Sequence, residues 1–231
     1  MRPKILVALD FDSADDALSM ARRLQPEVAG FKVGLGLLHG DGSQALERIC
    51  ELGLPVFADA KLHDIPDQVR RAAQQLGRRG ARWVTAHASG GSSMLEAAVA
   101  GLADATGGKS GVLAVSVLTS LDPSDIDAVG LTGSVEEVVA RLVKLAAGAG
   151  AEGAVCSVAE VGTVRRSAPE LTTVTPRIRL SGGSTHDQKR VATIEEAEAA
   201  GSDYVVVGRA ITRHEDPEAV AHQMANGMSS V

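Results

Sequence analysis

The sequence predicts an α/β protein with the fold of a (β/α)₈ TIM barrel, built as one domain over residues 1–231. Eight short apolar runs recur along the chain, and segments with the periodicity of amphipathic helices lie between them. Strands that are apolar throughout are typical of parallel sheets that helices cover on both faces. Eight such strand and helix units in 231 residues match the size of a barrel.

The predicted strands are short and rich in apolar residues. They cover residues 4–10, 29–34, 55–61, 82–87, 111–118, 153–157, 171–176 and 204–208. The clearest helical segments cover residues 13–24, 92–102, 134–147 and 193–201. The long connection 119–150 is expected to carry an extra turn or a short helix. A doubly wound open sheet is the alternative, but residues 8–17 contain no glycine, so the first strand is not followed by the GxGxxG turn of a dinucleotide-binding fold.

Charge and composition argue against several classes of partner. The net charge is -6, with 23 Lys and Arg against 29 Asp and Glu, which leaves no general basic surface for nucleic acid or an anionic membrane. Aromatic residues make up only 2% of the chain, too few to favour a base-stacking platform. No apolar stretch approaches the roughly 18 residues of a membrane span. We therefore expect a small-molecule substrate, with no nucleic acid and no membrane as partner.

Two features favour a cytoplasmic protein. Cys50 and Cys156 lie in apolar segments without CxxC spacing, which predicts buried free thiols in a reducing compartment. The apolar run near the N-terminus lasts only five residues before Asp10, which is too short for the hydrophobic region of a signal peptide.

Charged residues lie at the ends of the first three predicted strands. Asp10 ends the first strand, Lys32 lies near the end of the second, and Asp59 and Lys61 end the third. Asp59 and Lys61 are two residues apart, so they share one face of their strand. Active sites of barrels are built at the C-terminal ends of the strands, so these four residues are expected to converge at one mouth. The alternative is a structural network of ion pairs that caps the barrel.

The residues after the third strand have simpler alternative roles. Asp64 precedes Ile65 and Pro66 and comes before a helical segment that ends near Gly80, so this residue is a good candidate for a helix N-cap. Histidines near a strand end are more often hydrogen-bonded structural residues than ligands. That structural role is the simpler interpretation of His63 and His87. The six histidines show no HExxH or similar spacing, so no metal site is predicted.

A second candidate site follows the seventh and eighth strands, where barrels frequently bind phosphate. Residues 175–190 are rich in glycine and basic residues, and Arg209 comes directly after Gly208. Glycine lets backbone N–H groups approach an anion, and arginine adds a planar fork of donors. Arg209 is the first choice of phosphate ligand. In the alternative interpretation the glycines only turn the chain and the arginines are solvated.

The segment FADAKLHDIP, residues 57–66, closely resembles the signature of orotidine 5'-monophosphate decarboxylases. The resemblance extends over essentially the whole chain, through VALD, FKVG, VTAHASGG, SVLTSL, VTPRIR, DQKRVATIEEA and VVVGRAI. Related magnesium-dependent enzymes that act on sugar phosphates also carry Asp-x-Lys at the end of a strand. The HDIP sequence that follows here resembles that of the orotidine 5'-monophosphate decarboxylases instead. The resemblance implies cofactor-independent conversion of orotidine 5'-monophosphate to uridine 5'-monophosphate and CO₂, the last step of de novo pyrimidine biosynthesis.

The resemblance also implies roles for individual residues. Lys61 would be the proton donor to C6, with Asp59 against the substrate carboxylate and Lys32 in the same charged array. Asp64 and Ile65 would reach into the site of the other subunit of a homodimer. The remaining substrate-binding residues contact ribose, pyrimidine, the leaving carboxylate or phosphate: Asp10, Lys32, Gln68, Thr119, Ser120, Pro176, Arg179, Gln188, Gly208 and Arg209.

Two positions depart from the family pattern. Arg177 stands where the family usually has glycine, which is expected to alter the backbone or add a charge beside the phosphate. Gln68 stands where threonine is common, which puts one contact across the dimer interface in question.

Two other functions remain open at this point. Lys61 could form a Schiff base with a sugar phosphate in an aldolase or lyase. A barrel that only binds a nucleotide, or that serves as a scaffold, is the alternative outside catalysis.

Overall fold

The computed structural model describes residues 1–40, 43–179 and 192–227. The strands run in chain order as β1 (Lys4–Ala8), β2 (Gly30–Val33), β3 (Val56–Leu62), β4 (Trp83–His87), β5 (Gly111–Val115), β6 (Gly153–Val155), β7 (Thr172–Thr175), β8 (Ile178–Arg179), β9 (Ala192–Thr193) and β10 (Tyr204–Val207). The helices are α1 (Ala14–Leu24), α2 (Leu35–His39), α3 (Ser43–Cys50), α4 (Pro66–Arg78), α5 (Ser92–Thr106), α6 (Pro123–Ala128), α7 (Val135–Gly148), α8 (Val161–Ser167), α9 (Ile194–Ala200), α10 (Arg209–Thr212) and α11 (Pro217–Asn226).

The strands of the described residues close into an eight-stranded parallel barrel, which confirms the predicted fold class. The order around the barrel is β1, β10, β7, β6, β5, β4, β3 and β2, so each strand lies beside its neighbour in sequence. Outside the barrel, β8 and β9 form a short parallel pair, with Ile178 opposite Ala192. The short helix expected within 119–150 is α6.

Two apolar layers hold the barrel together. Inward-facing side chains such as Leu6, Phe57 and Leu113 fill the inside of the barrel. A larger cluster packs the outer faces of the strands against the helices, with Phe31 and Val84 among its buried members. Burial on both faces explains why the strands are apolar throughout. No helix in the described part of the chain is long and apolar enough to cross a membrane.

Several helices begin where the sequence supplies a cap. Ser13 accepts a hydrogen bond from the backbone N–H of Asp16 at the start of α1, and Ser134 with Glu137 forms a capping box at the start of α7. The prediction that Asp64 caps α4 is wrong: Ile65 occupies the N-cap position and Pro66 begins the helix. The side chain of Asp64 instead accepts a hydrogen bond from the adjacent Ile65 N–H at 2.6 Å.

Some strands end earlier than predicted. β1 ends at Ala8, β5 at Val115 and β6 at Val155, so the apolar residues that follow these strands belong to the connecting segments. Val117 and Cys156 remain buried there, which is why apolar character alone overestimates strand length.

A polar cluster closes the end of the barrel at which the strands begin. Glu152 accepts hydrogen bonds from Arg82 at 2.8 and 2.6 Å and from the indole N–H of Trp83 at 2.8 Å. Arg82 also lies over the Trp83 ring, and Tyr204 meets that ring edge-on with centroids 5.2 Å apart. Trp83 is buried, so Glu152 satisfies a donor that would otherwise be buried without a partner.

We expect Glu152→Gln to lower the free energy of unfolding by about 2 kcal/mol at neutral pH, because it weakens the charge-assisted bonds to Arg82 and Trp83. Burial favours the neutral carboxyl, but the bonds from Arg82 and Trp83 outweigh it and lower the pKa of Glu152 below 4.5. The stabilisation is therefore complete above pH 4.5 and is lost as pH falls through the lowered pKa.

Thermal unfolding of both proteins between pH 7 and pH 3 measures this effect, with the exposed Glu170→Gln as the matched control. A difference in stability that stays constant down to the lowest pH would contradict the assignment.

Candidate active site

The predicted charged residues come together at the mouth where the parallel strands end. Leu6 and Ala8 face the inside of the barrel, so Asp10 continues the inward series beyond β1. In β3 the inward series runs from Phe57 to Asp59 and Lys61. Lys32 lies in β2, between β1 and β3 in the barrel. The topology thus brings together four residues that are distant in sequence.

The four side chains form one alternating chain of acids and bases. Lys61 Nζ makes a short contact with Asp59 Oδ1, and Lys32 Nζ lies 3.7 Å from Asp59 Oδ2. Lys32 Nζ also lies 3.2 Å from Asp10 Oδ1. The side chains of Lys32 and Asp59 are only 11% and 15% exposed, whereas that of Asp10 is 62% exposed at the outer end. Mutual pairing makes the burial of these charges tolerable.

Gly34 lies close beside this chain of charges. A Cβ atom at Gly34 would lie 3.0 Å from Lys32 Nζ and 3.2 Å from Asp10 Oδ1. A side chain at this position would crowd the ion pair, which explains the glycine that follows β2.

Thr85 is a member of the site that the sequence analysis missed. Its side chain is fully buried, its Oγ1 accepts a hydrogen bond from the backbone N–H of Lys61 at 2.9 Å, and its hydroxyl donates to Asp59 Oδ1 at 3.0 Å. Thr85 therefore fixes the carboxylate of Asp59 and the backbone of Lys61 together. Its face of the strand was predictable, because Thr85 is two residues from the inward-facing Trp83 and so shares its face of β4, but a threonine in an apolar strand resembles an ordinary core residue.

The backbone at Lys61 is unusual. Its φ angle is +50°, in the left-handed region that costs a non-glycine residue about 1–2 kcal/mol. The pairing of β3 with β4 shifts register between Ala58 and Leu62, as at a β-bulge. Bulges near active sites redirect side chains, and strained residues persist where surrounding contacts hold them. The contacts with Thr85 and Asp59 supply that restraint.

Two histidines lie beside the chain of charges. The rings of His63 and His87 stack with centroids 5.3 Å apart and planes at 30°. Burial lowers the pKa of His87 below 6.5, and the neighbouring His63 and Lys61 lower it further. No group of three His, Cys, Asp or Glu side chains within the described ranges is placed to hold a metal ion.

The residues that follow His63 form an exposed segment. Asp64, Ile65 and Gln68 are all exposed, and the Ile65 side chain is 64% exposed. Among the described residues, no basic side chain pairs with Asp64. One chain alone therefore does not bring Asp64 to Lys61.

Two of the predicted phosphate residues, Gly208 and Arg209, adjoin the same mouth. Gly208 is the N-cap of α10, and a Cβ atom there would lie 3.8 Å from Asp10 Oδ2. Arg209 is the first residue of α10 and is exposed. Arg179 is half-buried in β8, and Gln188 lies outside the described residues.

The segments after β5 and β7 meet above the mouth. Thr119 and Pro176 are half-buried and Ser120 is exposed. Arg177 has a φ angle of +67°, so it adopts a backbone conformation typical of glycine. Its Nη1 donates a hydrogen bond to the backbone carbonyl of Thr119 at 2.7 Å.

Comparisons with known proteins agree with this architecture. The model of the family described as "Orotidine 5'-phosphate decarboxylase / HUMPS family" matches residues 3–224. A protein named orotidine 5'-phosphate decarboxylase from Anaeromyxobacter sp. (strain K) is 47% identical over 231 residues, covering 99% of this chain and 100% of the relative. One of the same name from Teredinibacter turnerae is 42% identical, covering 98% and 97%. The crystal structure of orotidine 5'-phosphate decarboxylase from Lactobacillus acidophilus superposes with a TM-score of 0.84 at 33% identity, covering 97% of each chain.

Proposed function

The chain is a member of the orotidine 5'-phosphate decarboxylase / HUMPS family of enzymes, and we propose that it converts orotidine 5'-monophosphate to uridine 5'-monophosphate and CO₂ without a cofactor. This is the last step of de novo pyrimidine biosynthesis. The observation that carries the proposal is the chain of charges from Asp10 through Lys32 and Asp59 to Lys61 at the mouth of the barrel.

The reaction requires stabilisation of a negative charge that the substrate cannot delocalise. When the bond between C6 and the carboxylate breaks, CO₂ leaves and the electron pair stays on C6 in the plane of the pyrimidine ring. The π system of the ring cannot delocalise that pair, so stabilisation must be electrostatic. A fixed ammonium group beside C6 supplies it, and Lys61 then transfers a proton from Nζ to C6 and regains one from water.

The contacts of Lys61 support this role. The carboxylate of Asp59 accepts a short hydrogen bond from the ammonium group of Lys61, and the hydrogen bonds of Thr85 hold both residues in place. A cation held before the reaction starts costs no reorganisation when the carbanion forms. Asp59 would also lie against the substrate carboxylate. The repulsion between these two negative charges would disappear once CO₂ departs.

We propose a homodimer with shared active sites. The proposal carries over the family resemblance, and the exposed Asp64 and Ile65, directly after β3, fit it because their side chains are accessible to a second subunit. Asp64 of one subunit would contact Lys61 in the other subunit and add a second carboxylate beside its ammonium group. Gln68 lies on the same exposed segment and would face the neighbouring site.

The other proposed substrate contacts are carried over from the resemblance to the family. Asp10 and Lys32 would bind ribose hydroxyls, and Thr119, Ser120 and Pro176 would surround the pyrimidine and its carboxylate. The proposed phosphate ligands are Arg179, Gln188, Gly208 and Arg209. Both cysteines are free, with Cys156 buried and Cys50 half-buried, and burial raises the pKa of both thiols, that of Cys50 to about 12. A cytoplasmic location is proposed because free thiols are typical of a reducing compartment.

The direct test is the loss of orotidine 5'-monophosphate absorbance in the ultraviolet with purified protein and EDTA. Turnover that survives EDTA is the expected result. Borohydride treatment in the presence of substrate separates this reaction from an aldolase or lyase, because only a Schiff base of Lys61 would be trapped as a covalent adduct. Absence of turnover by a folded protein that binds uridine 5'-monophosphate would favour the binding-only barrel instead.

We expect Arg209→Ala to lower kcat/KM for orotidine 5'-monophosphate by about 10²-fold, because a charge-assisted bond to phosphate is lost. The same variant should leave kcat/KM for orotidine, which lacks the phosphate, within about twofold of the original. Initial rates with both substrates measure the difference, and the exposed Arg213→Ala, one turn away, is the matched control. An equal loss with both substrates would show that Arg209 does not bind the phosphate.

A further inference from the structure

Arg177 makes a contact across the mouth of the barrel that no catalytic role requires. It follows β7, whereas its hydrogen-bond partner, the carbonyl of Thr119, follows β5, so the bond spans the position of β6. The guanidinium lies 2.7 Å from that carbonyl, a good distance for a charge-assisted bond. The backbone carbonyl of Arg177 accepts a weaker bond from the N–H of Ala192, at the start of β9.

The backbone of Arg177 is strained, and the location of that strain is informative. Lys61 and Arg177 are the non-glycine residues with positive φ in the part of the chain that the structure describes. Both lie at the mouth of the barrel. Strain of this kind persists where contacts over-determine the conformation, and it concentrates at functional sites. A glycine would adopt the same backbone at no steric cost, but only a side chain such as that of Arg177 can donate the hydrogen bond to Thr119.

We propose that Arg177 is a positioning residue that fixes the segment of Thr119 and Ser120 before the substrate binds. This inference rests on the proposed function, in which these two residues contact the pyrimidine. Thr119 is half-buried and Ser120 is exposed, and the bond from Arg177 ties this segment to the one after β7. Without the bond, binding must order the segment, and that entropy cost lowers affinity.

Three substitutions separate the tether from the strain. Arg177→Gly removes the hydrogen bond and the strain together, Arg177→Ala removes the bond but keeps the strain, and Arg177→Lys keeps a cationic donor. We expect KM for orotidine 5'-monophosphate and Kd for uridine 5'-monophosphate to rise about tenfold in the glycine and alanine variants. Tm should stay the same or rise for glycine and fall for alanine. The lysine variant should recover part of the affinity, and kcat should stay within about twofold in all three.

Uridine distinguishes the tether from direct contact with the phosphate. Because the tether acts at the base, the inhibition constants of uridine and of uridine 5'-monophosphate should rise by the same factor in Arg177→Gly. A rise confined to the phosphorylated ligand would overturn the proposal, because it would make Arg177 a phosphate ligand.

The failure of this inference is distinguishable from the failure of the proposed function. If the unaltered protein turns over substrate and Arg177→Gly has the same KM and Kd as the unaltered protein, the proposed function stands and the positioning role is overturned. Affinity losses that follow Tm, and are therefore present in alanine and absent in glycine, would also overturn it. If the unaltered protein neither binds the nucleotide nor decarboxylates the substrate, both proposals fail.

Discussion

Alanine in place of Lys61 is expected to lower kcat for orotidine 5'-monophosphate by at least about 10⁴-fold, because one side chain supplies both the cation and the proton. Asp59 would remain beside the substrate carboxylate after the substitution, with Lys32, 3.7 Å away, as the remaining cation that pairs with it. The loss should appear in kcat, since the lysine acts most strongly on the carbanion that forms during the reaction.

The variant must be shown to fold and bind. Uridine 5'-monophosphate should still protect it against thermal unfolding, because the proposed phosphate and ribose contacts are unchanged. The exposed Lys109→Ala is the matched control and should retain full activity. If Lys61→Ala keeps more than about one-hundredth of the activity, a role as the proton donor and principal cation is contradicted.

Asp64→Ala is expected to reduce turnover by about 10²- to 10³-fold, although Asp64 makes no ion pair with a described residue of its own chain. In the proposed dimer the lost carboxylate is the one that Lys61 of the other subunit requires. Removing it leaves that ammonium group less well held at the moment of reaction. Stability of the isolated chain should change little, because Asp64 is exposed and caps no helix.

Mixed dimers provide the sharper test of shared sites. A dimer of one Lys61→Ala chain and one Asp64→Ala chain has one intact site, because the unaltered Lys61 and the unaltered Asp64 meet there. Random association makes half of the dimers mixed, so co-expression should restore about one-quarter of the normal activity per chain. Activity that stays at the level of the separate variants would show that Asp64 acts within its own subunit or not at all.

Much of the architecture could be predicted because it depends on patterns along single elements. The apolar strands and amphipathic helices indicate the barrel, and the barrel indicates that the strand ends converge. That rule brings Asp10, Lys32 and Asp59 to one mouth from three separate segments. Charged residues in this position are conspicuous because the rest of each strand is apolar.

The missed features depend on the three-dimensional arrangement of neighbouring strands. The role of Thr85 requires the register of β4 beside β3, which no local pattern specifies. The cap assigned to Asp64 was wrong because the chain turns one residue later, at Ile65. The bond from Arg177 to Thr119 joins residues 58 positions apart through a side chain of ordinary surface type, so only the closed barrel reveals it.

The central claim is that Lys61 stabilises a carbanion at C6, and hydrogen exchange into the product tests it most directly. An enzyme that stabilises this carbanion must also remove the C6 proton of the product, because the same transition state is crossed in both directions. The ligand of choice is 5-fluorouridine 5'-monophosphate in D₂O, since the fluorine makes the C6 proton more acidic, and NMR follows the loss of that proton. Exchange catalysed by the unaltered protein and absent in Lys61→Ala is the predicted result. Equal exchange in the two proteins would contradict the claim.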